Sequence, residues 1–250
     1  MENTIKMENN FIYGIHSVEE ALHSEQEIDK VFVAKGNSNE AVRGIVALAR
    51  KKQIPYILVP QEKLDRITRK NHQGVICFFS SITFASLDNI LDTCFQNGKP
   101  AVFLMLDGIT DVRNFGAIAR TAECTGVDAI IIPFKGAAQV GPDALKTSSG
   151  ALNHIPVCRV KSLEGTVDFL RKSGLQVITC TEKTNKKIYD VSFTDPTLIV
   201  MGSEEKGIQG AIRNRADHEV KIPMKGKINS LNVSVASGII LYEMLRQRMV

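Results

Sequence analysis

Short apolar runs alternate with helical periods along the chain and divide it into a small block and a large one. Phe11-Ile-Tyr-Gly-Ile-His opens the first block, and a helical period begins at Ser17 with Val18, Ala21 and Leu22 on one face. Val31–Ala34 reads as a buried strand. Asn39 is placed to cap a helix running to Lys52, with Ala41, Ile45, Leu48 and Ala49 as its apolar stripe. Pro55 to Pro60 reads as a second strand, 61–69 as a short basic helix and Gly74 to Phe79 as a third strand. Alternating helices and strands of this length predict a small α/β/α layer unit over residues 8–80.

Residues 81–100 read as a linker with one possible helix, Leu87 to Phe95, between Ser-rich and Asn-Gly-Lys-Pro punctuation. The second block, 101–250, carries six strand candidates: Val102–Leu106, Ala129–Ile132, Val157–Val160, Val177–Cys180, Leu198–Met201 and Glu219–Ile222. Most are apolar throughout, the pattern of a parallel sheet covered on both faces. Helices are predicted over 116–125, 143–147, 163–172, 208–215 and 233–248, which gives a doubly wound α/β arrangement. In the last of these Val233, Ala236, Ile240 and Met244 recur at helical spacing, and Ser230 and Asn232 stand just before it as helix-start residues.

Composition narrows the classes. The chain has 250 residues, 44% of them hydrophobic and 23% charged, enough for packed cores. A net charge of +4 permits a nucleic-acid partner without requiring one. There is no Trp, so a broad base-stacking platform is not advertised. Cys77, Cys94, Cys124, Cys158 and Cys180 form no C-x-x-C pair, as expected of reduced cysteines in a cytoplasmic protein. The histidines lack zinc-ligand spacing, so no metal is expected. Residues 1–10 have no apolar core of a signal peptide, and no run reaches the length of a membrane span. Lys63, Arg66, Arg69 and Lys70, with Lys51 and Lys52 nearby, could contact phosphate or form an ordinary solvated face.

Three polar clusters follow strands of the second block, where a doubly wound sheet places its ligands. They are 107–120 after the first strand, 202–207 after the fifth, and the stretch following Ile222 after the sixth. Each alone reads equally as a turn or a cap. No G-x-G-x-x-G and no Walker lysine pattern is present, so a polyphosphate ligand is not indicated.

Together the clusters resemble the three motifs of the SpoU/TrmH group of RNA 2′-O-ribose methyltransferases, which are knotted methyltransferases. N-x-G-x-x-x-R stands as Asn114 to Arg120, G-x-E-x-x-G as Gly202 to Gly207, and I-P-M-x-G-x-x-x-S-L-N-V-S-V-A runs from Ile222 to Ala236. Tyr13-Gly-Ile-His-Ser-Val-Glu-Glu-Ala-Leu and His72-Gln-Gly-Val resemble the amino-terminal RNA-binding domain of RlmB-like members. The resemblance thus spans nearly the whole chain.

It implies a parallel-sheet methyltransferase domain tied in a SPOUT-type trefoil knot and preceded by an RNA-binding domain. It implies S-adenosylmethionine as methyl donor, contacted at Gly202, Ile222 and Leu231, and a homodimer whose active site draws on both subunits. By motif position Arg120 is the main catalytic residue, with Asn114, Glu204, Ser230 and Asn232 around the reacting groups. A guanidinium stays protonated in ordinary settings, so Arg120 suits a clamp on phosphate and ribose better than a base. The implied substrate is large-subunit (23S) rRNA, at a guanosine near the peptidyl-transferase region. A tRNA 2′-O-methyltransferase and a non-catalytic RNA-binding assembly factor are the alternatives.

Overall fold

The computed structural model describes residues 10–228 and 230–249. The amino-terminal stretch read above lies outside the described residues up to Asn9, as do Asn229 within the third motif and Val250. The chain divides into two compact units.

The first unit, which includes the described residues up to Thr83, holds β1 (Phe11–Tyr13), α1 (Ile15–His23), β2 (Ile28–Ala34), α2 (Glu40–Lys51), β3 (Tyr56–Val59), α3 (Gln61–Ile67) and β4 (Val75–Phe79). The strands form one sheet in the order β1-β4-β2-β3, with only β2 and β3 parallel. Alternation along β2 sends Val31 and Val33 to one face and Phe32 and Ala34 to the other. The first pair joins Val18, Leu22, Val42, Ile45 and Ala49 of α1 and α2. Phe32 meets Leu64 of α3 across the opposite face, completing the predicted three layers. Asn39 caps α2 through its side chain, as its position predicts. Val42 rather than Ala41 faces the core, because the stripe is set by Ile45 and Ala49 at helical spacing.

The two segments that resemble the amino-terminal domain motifs meet at the start of α1. Gln73 Oε1 accepts the Ile15 N–H at 2.9 Å, and Gly14 donates to the Val75 carbonyl at 3.2 Å. Gly14 has φ 89°, a conformation that suits glycine. Buried His72 uses both ring nitrogens, Nε2 toward Asp65 at 2.9 Å and Nδ1 toward the Gly74 N–H at 3.1 Å.

The second unit takes in Phe84–Gln139 and residues 143–249. It contains α4 (Leu87–Gln96), β5 (Val102–Asp107), α5 (Val112–Cys124), β6 (Ala129–Pro133), α6 (Pro142–Thr147), β7 (Val157–Val160), α7 (Leu163–Lys172), β8 (Gln176–Cys180), β9 (Thr197–Gly202), α8 (Gly210–Arg213), β10 (His218–Val220) and α9 (Val233–Arg248). Six strands form an all-parallel sheet in the order β10-β8-β9-β5-β6-β7. From β5 the chain runs outward through β6 and β7, then returns to the other side for the remaining strands. The strand order therefore reverses between β5 and β9, which makes their carboxyl ends the switch point. Their register sets Asp107 beside Gly202.

Two sequence expectations change here. Most of the stretch read as a linker belongs to this unit: Leu91 and Cys94 of α4 are buried with Phe103 and Met105, beside Val167 and Leu170 of α7. An amphipathic helix needs a core to cover it, and the sheet supplies one. The last helix does not carry a single apolar stripe. Val233, Ser237, Ile240, Leu241 and Met244 are buried, whereas Val235, Ile239 and Tyr242 stand exposed on another face, Tyr242 by 67%. Ala236 is only half-buried. Apolar residues occupy both faces of α9, so one periodic set describes only half of it.

Candidate active site

The second motif folds tightly on the end of β9. A Cβ at Gly202 would stand 2.2 Å from the Gly207 carbonyl carbon and 2.4 Å from the Ile208 nitrogen, so only glycine fits. The 203–207 loop closes on itself: Gly207 donates to the Ser203 carbonyl at 2.8 Å, and the Lys206 N–H reaches Ser203 Oγ at 3.2 Å. The close approach at Gly202 is thus made to the chain's own backbone. Beside it, buried Asp107 accepts the Gln209 N–H at 2.7 Å and the Gln209 side-chain amide at 2.6 Å.

The other two motifs begin helices. Asp111 caps α5, its Oδ1 accepting the Asn114 N–H at 2.8 Å, so α5 starts well before Gly116. Asn232 caps α9 by accepting the Ser234 and Val235 N–H groups at 3.0 and 3.4 Å. With its oxygen so engaged, the Asn232 amide nitrogen donates to Asn114 Oδ1 at 3.0 Å and to Glu204 Oε1 at 2.6 Å. Glu204 Oε1 also accepts the Val233 N–H at 3.1 Å, placing its negative charge at the positive end of α9. One residue from each motif therefore meets at Asn232. Among the described residues, the second Glu204 oxygen and the Asn114 amide nitrogen have no partner, and both remain available to a ligand.

Ile222 and Leu231 lie elsewhere. With Met201, Val220, Ala236 and Ile240 they line a narrow apolar cavity of about 80 Å³ on the β8–β10 side of β9. Ser230 lines this cavity too, away from the Asn114–Glu204–Asn232 cluster with which it was grouped. Among the described residues, the backbone groups of 222–228, 230 and 231 make no hydrogen bond within the chain, and most of this loop is exposed. Cys180 contributes to the same wall, and burial pushes its thiol up from the ordinary range. Burial also pushes the Cys77 and Cys158 thiols up to about 12, leaving them inert packing groups.

Arg120 is not joined to the cluster. It is exposed on α5, with Nη1 donating to Ser149 Oγ at 3.1 Å. Six residues beyond Asn114 on a helix, it points about 120° away around the axis. Between them, Gly116 lets α5 close on the end of α6, since a Cβ there would lie 2.6 Å from Thr147 Cβ. Among the described residues, no group of three or more His, Cys, Asp or Glu is arranged to hold a metal ion.

Within the 107–120 cluster the sequence does not single out Asp107 or the cap Asp111, nor does it mark Gln209 or the two lysines that follow β6 and β7, Lys135 and Lys161. The signal was positional: each lies at or just beyond the carboxyl end of a strand, or at the helix start after it.

The chain matches the model of the SpoU rRNA methylase family over residues 101–242, and residues 11–85 match the RNA 2′-O ribose methyltransferase substrate-binding domain. It is 36% identical over 241 residues to the 23S rRNA (guanosine-2′-O-)-methyltransferase RlmB of Pseudomonas syringae pv. tomato, covering 95% of each chain. It is 32% identical over 244 residues, 98% of each, to YacO of Bacillus subtilis, a protein named for the TrmH family of tRNA/rRNA methyltransferases. Among solved structures, the SpoU methyltransferase AviRb from Streptomyces viridochromogenes, in complex with AdoMet, aligns with a TM-score of 0.61 and 25% identity over 96% of this chain and 90% of that one. The fold, the three converging motifs and these matches agree: the chain belongs to the SpoU family of RNA 2′-O-methyltransferases.

Proposed function

We propose that this protein methylates a ribose 2′-oxygen of large-subunit rRNA, a guanosine near the peptidyl-transferase region, using S-adenosylmethionine. The observation that carries the proposal is the meeting of all three motifs at Asn232, which leaves Glu204 and Asn114 with spare hydrogen-bonding capacity at the switch point. The rRNA substrate is favoured by the extent of the likeness to RlmB, which includes the amino-terminal unit.

The apolar cavity suits the adenosyl part of the methyl donor, with Ile222 and Leu231 as its walls. When bound, S-adenosylmethionine supplies a methyl group already activated by positive charge on sulfur. Gly202 acts indirectly, by letting Met201 and the 203–207 loop take up their places. The protein's remaining task is to orient the ribose, and orientation of this kind is worth up to roughly 7–11 kcal/mol. Asn114 and Glu204 hold the hydroxyl, and Asn232 holds both of them in place. Ser230 lies on the donor side, in the cavity wall, and Arg120, permanently charged, clamps the neighbouring phosphate.

Arg120 reaches such a phosphate from a second copy of the chain, which is why the reading includes a homodimer. Val235, Ile239 and Tyr242 of α9 offer that copy an exposed apolar face. The trefoil knot of the family and a cytoplasmic location, where rRNA is modified, belong to the same reading.

The test is transfer of labelled methyl from S-adenosylmethionine to rRNA and to tRNA, with the product located by digestion to nucleosides. Label in 2′-O-methylguanosine of large-subunit rRNA is expected. Label in tRNA alone would replace the substrate. Binding of RNA without transfer to either would make the protein an assembly factor.

A further inference from the structure

On the other flank of β9 from the apolar cavity lies a far larger hollow, about 790 Å³, at the carboxyl ends of β5, β6 and β7. That volume is of the size that takes a small-molecule or nucleotide-sized group. Three lysines face it from three separate connections: Lys135 after β6, Lys161 after β7, and Lys206 from the Glu204 loop. Two acids share the wall. They are Glu164 and Asp107, the latter buried with its oxygens taken by Gln209. One aromatic ring, half-buried Phe134, adjoins the lysines and gives the hollow a flat apolar patch.

The hollow is continuous with the reactive cluster. The cleft that contains Asn114 and Glu204 is also lined by Gly108, Gly136, Ser203 and Lys206, and these four line the lysine hollow too. A strand held at Glu204 therefore has the hollow next to it, across those four residues. Gly108, at φ 73°, keeps the passage low where a side chain would rise toward Ser203. Lysines, a single ring and a position next to the Glu204 cluster match one nucleotide of a polynucleotide: a charged phosphate, a flat base and covalent continuity with the reacting ribose.

We propose that this hollow seats the RNA nucleotide adjoining the methylated ribose, with its phosphate against Lys135, Lys161 and Lys206 and its base against Phe134. The proposal rests on the RNA methyltransferase reading and adds the subsite that holds the flanking strand. It divides the switch point in two, with methyl donor on the β8–β10 side of β9 and RNA on the β5–β7 side.

The experiment compares the full-length wild type with the double variant Lys135→Gln/Lys161→Gln and with Phe134→Leu. RNA binding is measured by filter retention of an rRNA fragment across a salt series, with S-adenosylmethionine affinity and methyl transfer measured in parallel. In the double variant the RNA Kd and KM rise roughly tenfold and the salt slope falls by about one per lysine. Affinity for S-adenosylmethionine and kcat at saturating RNA are unchanged. Phe134→Leu weakens RNA binding by a similar factor with the salt slope intact, because stacking carries no counterions. A wild-type salt slope in the folded double variant overturns the proposal. So does loss of S-adenosylmethionine affinity in place of RNA affinity, which would give the hollow to the donor. Failure of the wild type to methylate any RNA would sink the underlying reading instead, a result independent of the binding measurements.

Discussion

The two hollows beside the end of β9 are built of opposite materials. One is narrow and apolar, walled by Ile222, Leu231, Met201 and Ile240. The other is wide and faced by lysine side chains. They share a sheet and a switch point, and a single strand end parts them. On the reading proposed above, one crevice serves two ligands of unlike chemistry: apolar surface suits a compact molecule, whereas long cations suit a polyanion. It also explains why the third motif is long and strictly spelled while the lysines carry no motif. An apolar wall depends on each residue's shape, and a cationic wall needs only charge within reach.

Four measurements would break or sharpen this division. The largest effect is expected at Arg120, which belongs to neither hollow within its own chain. Arg120→Ala should reduce methyl transfer by at least about 10³-fold, the scale of losing a key electrostatic contact in a transition state. S-adenosylmethionine affinity should stay within about twofold, and wild-type turnover would remove Arg120 from the mechanism. Next is Gly202→Ala, on the partition itself. A Cβ driven into the Gly207–Ile208 backbone should destabilise the unit by about 1–3 kcal/mol. That lowers Tm by roughly 2–4 °C per kcal/mol and weakens both ligands together.

Leu231→Ala separates the hollows. Removing apolar wall from the narrow one should weaken S-adenosylmethionine binding by about tenfold, equivalent to about 1.4 kcal/mol. RNA affinity and its salt slope should not move. An equal loss for both ligands would mean that the hollows are not independent. The smallest effect is on thiol labelling. Exposed Cys124 should react with a thiol reagent quickly in the folded protein. Cys180 should react slowly, because burial holds its thiol in the protonated form, and several-fold more slowly again with S-adenosylmethionine present. RNA should leave the Cys180 rate unchanged, and protection by RNA alone would place the acceptor on the wrong side of β9.

Much of the framework was legible in the sequence because each strand of the sheet is an apolar run ended by a turn. Leu104 and Ile199 need no long-range information to be recognised as buried strand residues. What stayed hidden depends on strand order. Lys135 and Lys161 follow different strands and look like ordinary turn lysines until β5, β6 and β7 are set side by side. The same holds for the pairing of Asp107 with Gln209. Ser230 and Asn232 are two residues apart and were read as one group, yet the helix cap turns Asn232 toward Glu204 while Ser230 faces the apolar cavity. In Asn114 to Arg120 the motif is contiguous, but helical geometry sends its two functional ends in different directions. The second apolar face of α9 was missed because a single periodic set already accounted for a helix.

The contacts that complete the site span great lengths of chain. Asn114 and Asn232 are 118 residues apart, and Asp107 and Gln209 are 102 apart. Closing loops of that size costs entropy before any contact returns it, and all-parallel sheets are slow to form for the same reason. The kinetic consequence is that competence arrives last. On refolding from denaturant, helical signal should return before S-adenosylmethionine can bind, so a half-folded chain holds neither donor nor strand and cannot methylate out of turn.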